Sequence, residues 1–96
     1  MLERDFQKGV IKEIKKRLPD SVVLKTNPKQ KQGIPDLLIL NGPKWAALEI
    51  KKSKDASKRM NQEYYVDKWN KMSFARFISP ENKKETINDI QSALKS

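Results

Sequence analysis

The stretch Gly33-Ile34-Pro35-Asp36-Leu37-Leu38-Ile39-Leu40-Asn41-Gly42-Pro43-Lys44-Trp45-Ala46-Ala47-Leu48-Glu49-Ile50-Lys51 reads as a β-hairpin with charged groups at its open end. Asp36 to Leu40 opens an apolar run of strand length, Asn41-Gly42-Pro43-Lys44 is turn chemistry, and Trp45 to Lys51 is a second strand. With those four turn residues as the whole loop, Leu40 lies opposite Trp45, Leu38 opposite Ala47 and Asp36 opposite Glu49. Opposed residues share a face, with Cβ atoms roughly 5 Å apart. Lys51, two residues beyond Glu49, joins them by the alternation of a strand. Two carboxylates and a lysine therefore converge. A slip of one residue would send Asp36 and Glu49 to opposite faces, whereas a slip of two would keep them together.

Two acids this close repel unless a cation, a proton or the lysine intervenes. A divalent metal resolves the repulsion best: Mg²⁺ takes one or two protein carboxylates at about 2.0–2.1 Å and fills its other positions with water and phosphate oxygens. That is phosphodiester-cleavage geometry. The competing reading of the same three residues is a cross-strand salt bridge on a solvated sheet face.

Composition narrows the partners. Ninety-six residues make one domain, 1–96, with a single modest core. The net charge of +9 favours a polyanion, nucleic acid first, in a salt-dependent association. No apolar run has membrane-spanning length, and no secretory or lipidation signal is expected, since residue 2 is Leu and cysteine is absent. Without Cys or His there are no disulfides, no thiolate or zinc-type sites and no imidazole acid–base catalysis. Any metal must be a hard, oxygen-liganded one.

Residues 2–18 read as an amphipathic helix with Phe6, Val10, Ile11, Ile14 and Leu18 as its apolar stripe, ended by Pro19-Asp20. At about 100° per residue Glu3 falls along that stripe. By position alone, the favoured reading of Glu3 is a terminal carboxylate that only complements the helix dipole. Residues 21–26 form a short β-branched strand, and residues 27–32 a basic loop with Lys29 and Lys31, leading into Gly33. Lys52, Lys54, Lys58 and Arg59 make a basic run suited to a phosphate backbone. A second helix is expected from Ala56 or Ser57 to Met72, with Gln62, Tyr65, Val66, Trp69 and Met72 on one face, the aromatics there as core. Phe74 to Ile78 is the last strand; its Arg76 either reaches a phosphate or snorkels at the sheet edge. Ser79 as N-cap and Pro80 as first residue open a closing helix with Ile87, Ile90 and Leu94 inward.

The resulting order, α-β-β-β-α-β-α, predicts an α/β fold with a mixed sheet flanked by helices. At this point a family enters. Pro35-Asp36 followed by Glu49-Ile50-Lys51 resembles the PD-(D/E)XK nuclease motif, its halves separated by a hairpin. The wider context is Gly33-Ile34-Pro35-Asp36 opening one strand, Leu48-Glu49-Ile50-Lys51 closing the next, and a Gln-containing helix after it. Together these are similar to the small stand-alone VRR-NUC nucleases of phages over nearly the full chain.

The resemblance implies a restriction-endonuclease-like core and metal-dependent hydrolysis of DNA. It implies that Glu3, Asp36, Glu49 and the Ile50 carbonyl hold one or two Mg²⁺ or Mn²⁺ ions. Lys51 would orient water or stabilise the transition state, and Gln62 would position water or a phosphate oxygen. From charge and position, apart from the resemblance, Lys29, Lys31, Lys52, Lys54, Lys58 and Arg59 are the expected DNA contacts, with Arg76 a further one if it reaches a phosphate rather than the sheet edge. The resemblance further implies a homodimer acting on branched DNA such as Holliday junctions, in the cytoplasm of a bacterial host. Relatives commonly carry glycine where this chain has Lys71-Met72-Ser73, a departure from the pattern. Two rivals stay open: a non-catalytic basic nucleic-acid-binding module, and a nuclease acting on flaps or linear DNA.

Overall fold

Seven elements follow one another along the chain: α1 (Glu3–Arg17), β1 (Val22–Lys25), β2 (Leu37–Asn41), β3 (Lys44–Ile50), α2 (Met60–Met72), β4 (Ala75–Ile78) and α3 (Lys83–Leu94). They are seen in a computed structural model that describes residues 2–27, 29 and 31–95. Pro28 and Gln30 of the expected basic loop lie outside the described residues. The element order is the one the sequence predicts.

The four strands form one mixed sheet in the order β1-β2-β3-β4. Leu40 pairs with Trp45 and Leu38 with Ala47, the expected register. The ladder runs one pair further than the turn chemistry suggested, Asn41 opposite Lys44, so the loop shrinks from four residues to Gly42-Pro43. Gly42 has φ +63, and Pro43 cannot leave negative φ, which is the sign pattern of a type II′ hairpin turn. β1 adds antiparallel to β2, and β4 adds parallel to β3 through the α2 crossover.

The sheet buries two unequal faces. On one, Leu37, Ile39, Leu48, Ile50 and Ile78 meet Phe6, Val10, Ile14 and Leu18 of α1 and Ile87, Ile90 and Leu94 of α3. Each such side chain contributes about 1.5–3 kcal/mol when fully removed from water, so Ile14→Ala would cost about 2–5 kcal/mol. On the other face, Ala47 and Ala75 pack with Val66 of α2, flanked by Leu38, Trp45, Trp69 and Phe77. Here α2 packs on β3 and β4.

Two helix starts differ from expectation. α2 begins at Met60, not Ala56 or Ser57, because the Ser57 carbonyl is occupied by Lys51 Nζ at 3.0 Å and the Arg59 N–H is taken by the Gln62 side chain at 3.1 Å. α3 begins at Lys83, not Pro80. Asn82, not Ser79, holds the N-cap position, but its side chain caps no helix N–H and instead fixes the preceding turn: its Oδ1 accepts from Ser79 N at 2.8 Å and its Nδ2 donates to the Phe77 carbonyl at 3.1 Å. The turn after α2, glycine in the resembled family, is made by Ser73 at φ −152, where no glycine is required. Ser73 N donates to the Trp69 carbonyl at 2.9 Å and its hydroxyl donates to that of Trp45. Among the described residues no helix is long and apolar enough to cross a membrane.

Candidate active site

Asp36 directly precedes β2, and its backbone is fixed before its side chain does anything. Thr26, just past β1, donates its N–H to the Asp36 carbonyl at 2.9 Å and its hydroxyl to the Pro35 carbonyl at 2.7 Å. Thus anchored, Asp36 Oδ2 accepts the Ile50 N–H at 2.8 Å. This bond ties the two ends of the hairpin and sets the carboxylate beside Glu49, the next residue of β3 inward.

Glu49 is 4% exposed. Its Oε2 accepts from Gln62 Nε2 at 3.0 Å. Its Oε1 is buried with no hydrogen-bond partner among the described residues. Burial, and then the neighbouring Asp36 carboxylate, push the Glu49 carboxyl up to about 8; Lys51 works against the rise and Glu3 adds to it. Two ionised carboxylates have no hydrogen to share, so this pair needs a proton or a cation between them.

Lys51 is 9% exposed and held by acceptors on the α2 side of the sheet. Its Nζ donates to Gln62 Oε1 at 2.8 Å as well as to the Ser57 carbonyl, and lies 5.9 Å from the centre of the Phe77 ring. Among the described residues the ion pairs are Arg17–Glu13 and Lys71–Asp67, so neither Asp36 nor Glu49 forms a contact pair with Lys51. The cluster is therefore not the cross-strand salt bridge of the simplest competing reading.

Gln62, in the first turn of α2, connects the parts. Its Oε1 receives Lys51 Nζ and the Arg59 N–H while its Nε2 serves Glu49, and only this orientation of the amide satisfies two donors and one acceptor. The inward direction of Gln62 was legible in the helical spacing. Its triple bonding was not.

A cleft of about 460 Å³ opens over these groups, lined by Lys29, Lys31, Gln32, Gly33, Ile34, Asp36, Glu49, Arg59 and Gln62. Gly33 has φ +96, and a Cβ there would stand 2.7 Å from the Asn61 side chain, so the loop presses closer to α2 than any other residue would allow. On the other side of Asp36, a cavity of about 140 Å³ is lined by Glu3, Arg4, Gln7, Asp36 and Ile50. Glu3 thus reaches the neighbourhood of the site as an exposed residue of the first helical turn. Among the described residues no three carboxylates stand together as one cluster able to hold an ion.

The basic residues divide. Lys29, Lys31 and Arg59 line the cleft. Lys52 and Lys54 are exposed on the connection after β3, where the Lys54 N–H donates to Glu81 at 3.1 Å. Lys58 sits 4.8 Å over the Phe77 ring, and Arg76 lies 4.2 Å over Phe74 while donating to Asn70 and, at 2.9 Å, to the Ala75 carbonyl. Arg76 thus packs along the protein surface. Sequence reasoning missed Thr26 and the Ser57 carbonyl, whose roles depend on contacts invisible to periodicity, and Gln7, which stands one turn after Glu3. No family model, no curated protein and no solved structure matches this chain.

Proposed function

We propose that this chain is a metal-dependent DNA endonuclease, acting as a homodimer on branched DNA such as Holliday junctions. The observation that carries the reading is Glu49 Oε1, buried without a hydrogen-bond partner among the described residues and set beside the Asp36 carboxylate, with no described lysine or arginine in ion contact with either acid. The donors are all oxygens, which suits Mg²⁺ or Mn²⁺, and two protein carboxylates are an ordinary complement for Mg²⁺ when phosphate and water complete its shell. Asp36 and Glu49, with the Ile50 carbonyl and Glu3 at the rim, are the residues that would hold it. When bound, such an ion supplies charge stabilisation at phosphate and a more acidic water.

The remaining residues act through their own chemistry. Lys51, locked by Ser57 and Gln62, presents a fixed positive charge near the carboxylates, suited to a phosphate whose charge grows during hydrolysis. Gln62 fixes both Lys51 and Glu49 and so sets their spacing. Lys29, Lys31 and Arg59 draw the DNA backbone into the cleft. For the homodimer, support comes from the half of the sheet that α2 leaves bare, where Leu38, Leu40, Trp45, Trp69 and Met72 line an apolar groove beside the exposed Val22 and Leu24 of β1. The setting, a bacterial cytoplasm holding phage or prophage DNA, follows from the resemblance alone.

The test is cleavage of an end-labelled four-way junction beside its linear duplex, each with Mg²⁺ and with EDTA. Mg²⁺-dependent paired nicks in the junction alone are expected. Cutting of the duplex or of flaps instead would move the substrate class, and binding without cleavage in Mg²⁺ and Mn²⁺ would leave only a nucleic-acid-binding module.

A further inference from the structure

α2 turns three sides to its surroundings, and the nuclease reading uses one of them. Gln62 faces Glu49 and Lys51. Glu63, Asp67 and Asn70 share a shallow cavity with Lys58 and Arg76. On a third side Met60, Asn61, Tyr64 and Tyr65 line a cavity of about 510 Å³ together with Gln32. Gln32 also lines the cleft, so this surface is continuous with the candidate site.

The third side is not part of the core. The sheet is met by Val66 and Trp69, whereas Met60 is 88% exposed and Tyr64 57%. Tyr64 and Tyr65 brace each other edge to face, centres 5.0 Å apart at 79°. Lys31 Nζ lies 5.6 Å from the centre of the Tyr65 ring and Lys68 Nζ 5.7 Å from that of Tyr64. Among the described residues no carboxylate lines this cavity; Glu63 and Asp67, at the next positions round the helix, line the cavity they share with Lys58 and Arg76. Exposed Tyr64 braced by half-buried Tyr65, with two ammonium groups nearby and no carboxylate in the cavity lining, suits a ligand that is flat, apolar on its faces and negatively charged at its edge.

We propose that Tyr64, with Lys68 beside it, Lys31 beyond it over Tyr65 and Met60 at its margin, is a stacking platform for an unpaired nucleobase of the DNA held in the adjoining cleft. The proposal rests on the nuclease reading and adds to it that the branched substrate offers a base opened from its pair at the branch point. Bases inside a duplex have both faces covered by their neighbours, whereas an unpaired base offers a free face to an aromatic ring. Met60 is placed as an apolar wedge of the kind that props open a base step. Lys31 and Lys68 would take the phosphates on either side of the stacked base.

The experiment is fluorescence anisotropy in EDTA, where no cleavage occurs, with a labelled blunt duplex and the same duplex extended by a short single-stranded tail. Wild type is expected to prefer the tailed DNA. Tyr64→Ala should weaken tailed-DNA binding by about 5- to 150-fold, the range of one base–aromatic stack, with blunt-duplex affinity unchanged. Tyr64→Leu, which keeps apolar bulk without a π-face, should lose the preference too, and Tyr64→Phe should keep it. Equal binding of the two DNAs by wild type, or a preference that survives both Tyr64→Ala and Tyr64→Leu, would overturn the platform while leaving the nuclease reading to the cleavage assay. Failure of wild type to bind either DNA would remove both.

Discussion

Gln62 Nε2 donates to Glu49 Oε2 across 3.0 Å, joining the first turn of α2 to the carboxylate near the end of β3. Because the same amide accepts Lys51 Nζ at 2.8 Å, one side chain sets the distance between an acid and an ammonium that do not touch. Gln62→Ala leaves Glu49 and Lys51 each a partner short in a poorly hydrated place, at about 1–3 kcal/mol per unsatisfied group. The expected results are a Tm several degrees lower and Mg²⁺-dependent cleavage reduced by about 10- to 100-fold, the range for loss of a residue that orients a metal-site ligand. Thermal melts and junction cleavage read both.

Asp36 separates stability from chemistry. Asp36→Asn keeps an acceptor for the Ile50 N–H, so its stability should stay within about 0.5 kcal/mol of wild type, whereas Asp36→Ala should lose about 1 kcal/mol. Both should abolish cleavage. Both also remove a negative charge from a chain of net charge +9, so DNA affinity in EDTA should hold or rise. Full activity of either variant would remove Asp36 from the catalytic assignment.

Glu49 makes metal-free stability depend on pH. Its folded-state carboxyl is raised from 4.5 to about 8, so the protonated form favours the fold: that stabilisation is complete below 4.5 and lost as pH rises through about 8. One pKa unit corresponds to about 1.4 kcal/mol, and about 1 kcal/mol moves the Tm of a domain this size by about 4–8 °C. In EDTA the Tm should therefore fall by at least ~5 °C across that window. Glu49→Gln, which imitates the protonated group, should flatten the profile, and Mg²⁺ should restore the wild-type Tm at the alkaline end. Melts across pH with and without Mg²⁺ check each part.

The two glycines with positive φ should respond differently to alanine. Gly42→Ala meets open space and bears only the left-handed backbone, about 1–2 kcal/mol. Gly33→Ala adds a collision with Asn61 at 2.7 Å, for a total of about 2–4 kcal/mol. Combining Gly33→Ala with Asn61→Ala should recover only part of the collision, because the Cβ of residue 61 still stands 2.9 Å away, and none of the backbone strain. Denaturant titrations of the three variants decide it.

The sequence by itself determined the hairpin, its register and the inward stripes of α1 and α3, because these depend on local periodicity and turn chemistry. The turn chemistry of Asn41 to Lys44 sets Leu40 opposite Trp45, and counting back from that pair gives the rest of the register. That register brought Asp36 and Glu49 together before any fold was known. Tertiary structure alone decided where α2 begins, since residues 56–59 contain no glycine or proline and it is Lys51 on the Ser57 carbonyl and Gln62 on the Arg59 N–H that hold the chain out of the helix. It also decided which cations face the carboxylates. Lys29, Lys31 and Arg59 do, while Lys58 and Arg76 are drawn onto Phe77 and Phe74, and charge spacing along a chain carries no record of which ring a cation will meet.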